Sequence, residues 1–368
     1  MKALFVTGEP SGDLHASNLI KSLQKINPEI QFIGIGGEKM KEVGVKIIYP
    51  SDKICVVGFS EVLSKIYNIT EARKKISGIV RLEKIDFAVT IDSPGFNIPT
   101  ARYLKNNRIP VFYFITPQVW AWGTWRVKQL NKYFKHLFVI FPFEEKFLES
   151  RLTNVSFLGN PLIDITIPPE ELKREDLPEC EILVSILPGS REAEIKRLLI
   201  PMLLAYKVFK KNHPESNAVI ALYNEKLLPL IKRIGGEHLN DIPVFCSKTY
   251  DILKNSDLSI ISSGTATVEA GILNVPMVIV YKLSFISWSI AKILAHIKNF
   301  GLINLIFSDK IVPELFQNEV NPKSISIELE KVYKNRFKIR KKFSELRNLL
   351  GNKGSYDRVA NSILSMVQ

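Results

Sequence analysis

The chain has 368 residues, 46% hydrophobic and 24% charged, which excludes a disordered polymer and leaves room for about two domains. Lysine and arginine number 50 against 37 acids, and this net charge of +13 calls for an anionic partner: nucleic acid, a membrane surface or a phosphorylated substrate. The opening Met1–Glu9 is too short an apolar run for a secretory leader, and the most apolar stretch, 283–297, is broken by Lys292 short of the ~18 residues a membrane span needs. Cys55, Cys180 and Cys246 are scattered and the five histidines form no HExxH, so a disulfide frame and a zinc enzyme are not expected, and a reducing compartment is.

In chain order, short apolar runs alternate with longer amphipathic ones. Strands are predicted at Ala3–Thr7, Phe32–Ile35, Phe87–Ile91, Val111–Ile115 and Leu137–Ile140. Helices are predicted between them at Leu14–Lys25, Ile69–Leu82, Thr100–Asn107 and Trp125–Tyr133. The strand candidates are continuously apolar, as strands covered on both faces are, so the expectation is a parallel, doubly wound α/β sheet. Ile163–Glu181, with Pro168, Pro169 and Pro178 among charged residues, reads as a surface linker. The alternation then restarts with strands at Ile182–Leu187, Ala218–Ala221, Leu258–Ser262 and Met277–Val280 and helices at Glu192–Lys211 and Thr265–Leu273. The expected organisation is a Rossmann-like domain over 1–165, a second over 180–330 and a helical tail over 331–368, with a cleft between the domains. In such sheets ligands lie beyond the carboxyl ends of the strands, so the loops after strands carry the chemistry.

The first strand runs into Gly8-Glu9-Pro10-Ser11-Gly12-Asp13. The glycines allow a tight turn, and Ser11 or Asp13 could cap the following helix; a second acid beside Glu9 favours a polar ligand over a simple turn. GxGxxG and the P-loop pattern are absent. The third strand candidate ends in Asp92-Ser93-Pro94-Gly95-Phe96-Asn97, where Asp92 is placed either to cap a turn or to act as a general base. After Val111–Ile115, three of the four tryptophans, Trp120, Trp122 and Trp125, fall within six positions of a loop. They suggest a sugar-stacking platform or an acyl-chain contact, the plain alternative being core packing. In the second half, Gly189-Ser190-Arg191 opens a helix with a glycine turn, a hydroxyl and a cation, and Ser263-Gly264-Thr265 opens another with small residues. Either could be only a helix cap; together they favour one nucleoside diphosphate, with Glu269 on its ribose.

These blocks, with Pro117–Trp122, Pro142-Phe143-Glu144, Pro276–Tyr281, Asn304-Leu305 and Pro313–Gln317, come in the order found in lipid-A-disaccharide synthases, which the chain resembles over nearly its whole length. The resemblance implies the GT-B fold and an inverting, metal-independent transferase peripheral to the inner membrane. It would join UDP-2,3-diacylglucosamine to 2,3-diacylglucosamine 1-phosphate, giving a β(1→6) disaccharide and UDP, with no cofactor. It further implies that Asp92 is the base and that Arg191, Glu269 and Asn304 serve the nucleotide cleft; the residues alone leave Glu9, Asp13 and Asp92 open as the base. Ser11, Asn97, Trp120 and Trp122 are assigned to the acceptor and its acyl chains. The chain departs from the family at Asn160, where histidine is usual, and at Ile303, where proline is. The alternatives are another GT-B enzyme using UDP-N-acetylglucosamine, whether transferase or 2-epimerase, and a nucleic-acid binder, for which no motif speaks.

The charge is unevenly placed. Ser93–Phe143 holds no acid but Arg102, Lys105, Arg108, Arg126, Lys128, Lys132 and Lys135, and it includes the tryptophans. Ala270–Ser308 is also acid-free, with Lys282, Lys292 and Lys298 among apolar residues, and 331–342 is strongly basic. Bases beside aromatics fit an anionic inner-membrane surface. The partners expected are thus the two acyl sugars and that surface, with no nucleic acid and with a homodimer left open.

Overall fold

The computed structural model describes residues 1–54, 59–120, 124–166, 172–283 and 301–367. Met1–Pro161 and Leu350–Gln368 form one unit, and Leu162–Leu349 form a second. The first unit is built on seven parallel strands: β1 (Lys2–Thr7), β2 (Gln31–Gly36), β3 (Lys46–Pro50), β4 (Phe87–Ile91), β5 (Val111–Phe114), β6 (His136–Val139) and β7 (Val155–Phe157). Their order in the sheet is β3-β2-β1-β4-β5-β6-β7. β1 and β4 are buried over nearly their whole length because helices cover both faces, which is why they read as unbroken apolar runs. Across β4, β5 and β6 the rings of Phe87, Phe112 and Phe138 follow one another at centroid spacings of 6.3 and 6.3 Å.

The second unit carries β8 (Ile182–Leu187), β9 (Ser216–Leu222), β10 (Val244–Cys246), β11 (Leu258–Ser262), β12 (Met277–Tyr281) and β13 (Glu314–Phe316) in the order β10-β9-β8-β11-β12-β13. All pairings are parallel. The helix Glu192–Asn212 buries Ile195, Leu198, Leu199, Met202 and Phe209 completely; each such side chain contributes about 1.5–3 kcal/mol by leaving water. Gly271 lets the helices Thr265–Ile272, Leu302–Phe307 and Pro322–Leu350 close up, since a Cβ there would meet Ile303 and Leu346.

Each predicted strand is present, and among the described residues four more appear: β3, β7, β10 and β13. The stretch read as a linker begins inside the second unit, where Leu162 and Ile163 are buried in the helix Leu162–Ile165. The tail is helical but is not a body of its own: Pro322–Leu349 packs within the second unit, and the helix Ser355–Val367 within the first. There it lies on the helix Pro10–Ile26. His15 Nδ1 meets the Tyr356 hydroxyl at 2.8 Å, and Ser22 Oγ donates to Asp357 Oδ1 at 2.5 Å. Burial lowers His15 to about 4, so the imidazole is neutral. The basic, apolar 284–300 stretch lies outside the described residues.

Candidate functional site

In the first sheet the chain moves from β1 outward to β2 and β3, then returns to β4 and moves the other way. The loops after β1 and β4 therefore part from each other at the switch point, where parallel sheets hold their ligands. These are the loops of Glu9 and Asp92. They lie close together: a Cβ on Gly8 would come within 2.6 Å of Ser93 Oγ, so any side chain there would push Ser93 aside. Asp92 and Ser93 both take the left-handed conformation, with φ of 50° and 44°. Two such non-glycine residues in succession cost about 1–2 kcal/mol each. Buried neighbours hold them there. Asn97 Nδ2 donates to the carbonyls of Ile91 (3.0 Å) and Asp92 (2.6 Å), and the Tyr113 hydroxyl donates to the Asp92 carbonyl at 2.6 Å. The turn leaves the Asp92 carboxyl part-exposed at the strand's carboxyl end, with Oδ1 accepting from the Ser93 N–H at 2.8 Å. Burial, then the nearby Asp92 charge, drives the Tyr113 hydroxyl well above its usual range, so it stays a proton donor to that turn.

Three expectations for this unit need correction. Asp13 does not face a ligand: it is 5% exposed, and its carboxylate accepts from the N–H groups of Gly37 (2.6 Å), Lys39 (3.0 Å) and Met40 (3.3 Å). It caps the helix Glu38–Glu42 rather than its own, whose N-cap position is held by Glu9. Ser11 is exposed on the first turn and caps nothing. Asn97 is fully buried with its amide nitrogen engaged by the Asp92 turn, so it supports that turn rather than reaching an acceptor.

After β5, the Trp120 indole N–H donates to Glu144 at 3.1 Å, and the ring stands edge-on to Phe143. Glu144 is 2% exposed and also accepts from the N–H groups of Ile140 (3.3 Å) and Phe141 (3.2 Å). Burial raises its carboxyl to about 7 against those three donors. Trp120 is thus pinned by a buried acid that the sequence reading did not use. Trp122 lies outside the described residues; Trp125 is 62% exposed with the Arg126 guanidinium 4.9 Å from its ring.

The second sheet repeats the arrangement. Its switch point lies between β8 and β11, whose loops are 188–194 and 263–269. Gly189 has φ of +115°. Ser190 and Arg191 are exposed, but their N–H groups are occupied: both donate to Glu194 Oε2, at 3.1 and 3.3 Å, and the Arg191 guanidinium donates to Glu194 Oε1 at 3.4 Å. Glu194 was legible as a capping-box acid three residues after Arg191, but not as the occupant of the expected phosphate donors. In the other loop the Ser263 N–H donates to the Val280 carbonyl at 3.0 Å, and the Thr267 N–H and hydroxyl donate to the Gly264 carbonyl at 3.1 and 2.8 Å. Thr265 is exposed, and there is open space where a Gly264 side chain would be. Glu269, one turn on, is raised to about 7 by burial, partly offset by the Tyr250 hydroxyl at 3.5 Å. Near neutral pH its two oxygens can both accept and donate. Asn304 corrects a fourth expectation. It is fully buried and makes four bonds, from Nδ2 to the Val312 carbonyl (2.8 Å) and Glu314 (2.6 Å) and to Oδ1 from the N–H groups of Ile311 (2.8 Å) and Val312 (3.1 Å). It fastens the 311–314 segment, and no donor is left for a nucleotide.

Comparison with known proteins agrees with this geometry. The family model described as lipid-A-disaccharide synthetase matches residues 3–364. The lipid-A-disaccharide synthase of Syntrophus aciditrophicus is 35% identical over 99% of this chain and 97% of its own, and that of Geobacter metallireducens 33% over 100% and 97%. Among solved structures, the UDP-GlcNAc 2-epimerase of Neisseria meningitidis bound to UDP-GlcNAc superposes with a TM-score of 0.71 at 14% identity, covering 99% of this chain and 100% of that one. The glycotransferase of kitacinnamycin gives 0.71 at 12% identity, covering 100% and 99%. The fold expectation, two Rossmann-like GT-B domains, stands.

Proposed function

Because this chain belongs to the lipid-A-disaccharide synthase family and is thus a UDP-sugar glycosyltransferase, we propose that it moves 2,3-diacylglucosamine from UDP onto the primary hydroxyl of 2,3-diacylglucosamine 1-phosphate, inverting the anomeric carbon. The observation that carries the mechanism is the Asp92 turn: a carboxylate at the switch point, on backbone that is costly to hold and is held by two buried side chains. A primary hydroxyl is a weak nucleophile at neutral pH. Asp92 takes its proton as the new C–O bond forms, and the electron pair of the breaking bond leaves with UDP. One displacement, with no covalent enzyme intermediate, inverts the carbon. Charge growing on the departing diphosphate is met by Arg191 and by backbone N–H groups at the start of two helices. Glu269, raised by burial to about 7, suits the ribose hydroxyls, which both donate and accept. To Glu9, in the neighbouring loop, we assign the orienting of the acceptor.

The exposed Trp125 with Arg126 and the acid-free run around them support docking on an anionic membrane surface. Among the described residues no helix is long and apolar enough to cross a membrane.

The experiment is direct. Purified protein with both acylated sugars and a chelator should yield disaccharide and UDP in equal amounts. UDP-N-acetylglucosamine without acyl chains should be a poor donor. Its epimerisation at C2, or no disaccharide from the acylated pair, overturns the reading. Sedimentation with vesicles should require anionic lipid and weaken with salt.

A further inference from the structure

We propose that the Glu194 carboxylate is a built-in stand-in for the nucleotide's diphosphate, occupying its donors in the free protein and released when the nucleotide binds. The inference rests on the reading above that the diphosphate is met at Ser190 and Arg191. Those two N–H groups and the Arg191 guanidinium are the donors that an anion would use at the head of the helix Glu192–Asn212. All three already bond one carboxylate, at 3.1, 3.3 and 3.4 Å. A carboxylate and a phosphate offer the same ligand, a pair of anionic oxygens. An N–H group donates one good hydrogen bond, so it cannot serve both.

The loop is shaped around the acid. Gly189 has a backbone that favours glycine, and any Cβ there would collide with the Glu194 carboxylate and its Cβ. Glu194 is 15% exposed at its side chain and Arg191 50%, so the acid is the sheltered partner and the guanidinium the one that meets incoming ligand. A destination for the acid is at hand. Arg197 lies three residues on along the same helix, an i,i+3 neighbour to which a freed carboxylate can turn; burial, and then the Glu194 charge, raise the Tyr281 hydroxyl at the end of β12, with Arg191 and Arg197 opposing.

An occupied site selects its ligand. A single phosphate, such as the one on the acceptor sugar, gains little beyond what the carboxylate already provides. A diphosphate brings a second phosphate and its nucleoside and can displace it. Glu194 thus sets a threshold that a weakly held monophosphate does not cross at low concentration and a more tightly held nucleotide does.

The test is calorimetric titration of the full chain with UDP, and with inorganic phosphate as competitor. Glu194→Gln keeps the shape and removes the charge. UDP should bind about tenfold tighter and phosphate should compete at lower concentration, as expected when a competent state about a tenth populated becomes dominant. Arg191→Ala should weaken UDP. If Arg191→Ala leaves UDP affinity unchanged, the assignment of the diphosphate to this loop fails. If Arg191→Ala weakens UDP but Glu194→Gln leaves it unchanged or weaker, the carboxylate is an ordinary helix cap and the stand-in is overturned. Should Glu194→Gln not fold, the unaltered protein crystallised with UDP decides: a Glu194 carboxylate turned away from the Ser190 N–H supports the proposal, and one still bonded to it refutes it.

Discussion

The two units solve the same topological problem with opposite chemistry. Each winds a parallel sheet outward in both directions from a central pair, β1 with β4 and β8 with β11, and each opens two loops at that pair. In the first unit the loop after β4 carries an acid, Asp92, held on left-handed backbone by side chains that lie beneath it. In the second the crevice presents N–H groups and a cation, and the acid there, Glu194, bonds them. A sheet edge is neutral ground. The two switch points differ in whether the loop is braced to push a carboxylate out or shaped to turn N–H groups inward.

The comparison can be broken most forcefully at Asp92. Asp92→Ala should lower turnover by about 100- to 10,000-fold while UDP still binds; retained turnover would move the base to Glu9. Next, the brace should matter apart from the acid. Asn97→Ala removes the side-chain donor to the Ile91 carbonyl and one of the two donors to the Asp92 carbonyl, so it should cost about 1–3 kcal/mol in denaturant unfolding and lower kcat more than it raises KM. An unchanged kcat in protein folded at the assay temperature would mean that the left-handed turn does not position Asp92. Third, Asp13→Ala and Asn304→Ala should each destabilise by about 1–2 kcal/mol, read as a lower Tm, with kcat little changed once the protein is folded, since both side chains serve backbone rather than substrate. A loss of activity without loss of stability would return either residue to the site. The smallest effect is one the units share. Burial lifts Glu144 in the first and Glu269 in the second from 4.5 to about 7. Between those values the folded chain holds protons that the unfolded chain has released, so stability falls as pH rises through that window and levels off above it. Tm followed from about pH 5 to about pH 8 should decline, and Glu144→Gln and Glu269→Gln should each flatten the slope.

What could be read in the sequence follows the same physics. Interior strands were legible because both faces are buried, so Phe87–Ile91 and Ile182–Leu187 are apolar at nearly every position. The four strands not foreseen, β3, β7, β10 and β13, are the four sheet edges, three to five residues long and only partly buried. The four loops at the switch points were legible, since glycine, hydroxyl and acid at the end of a buried strand form a local pattern. Side-chain partners were not. That Asp13 caps a helix some 24 residues on, that Asn304 fastens 311–314 and that Trp120 rests on Glu144 depend on which segments the fold brings together, and nothing local signals it.

The placement of Ser355–Val367 on the Pro10–Ile26 helix has a consequence for how the protein is made. The ribosome releases the first sheet early, but the helix that completes its unit emerges only after all of Leu162–Leu349. Synthesis order and completion order are therefore reversed: the second unit can finish as it is translated, while the first waits with one face of Pro10–Ile26 uncovered. Nascent chains halted before Ser355 should bind chaperones through the early part of the molecule.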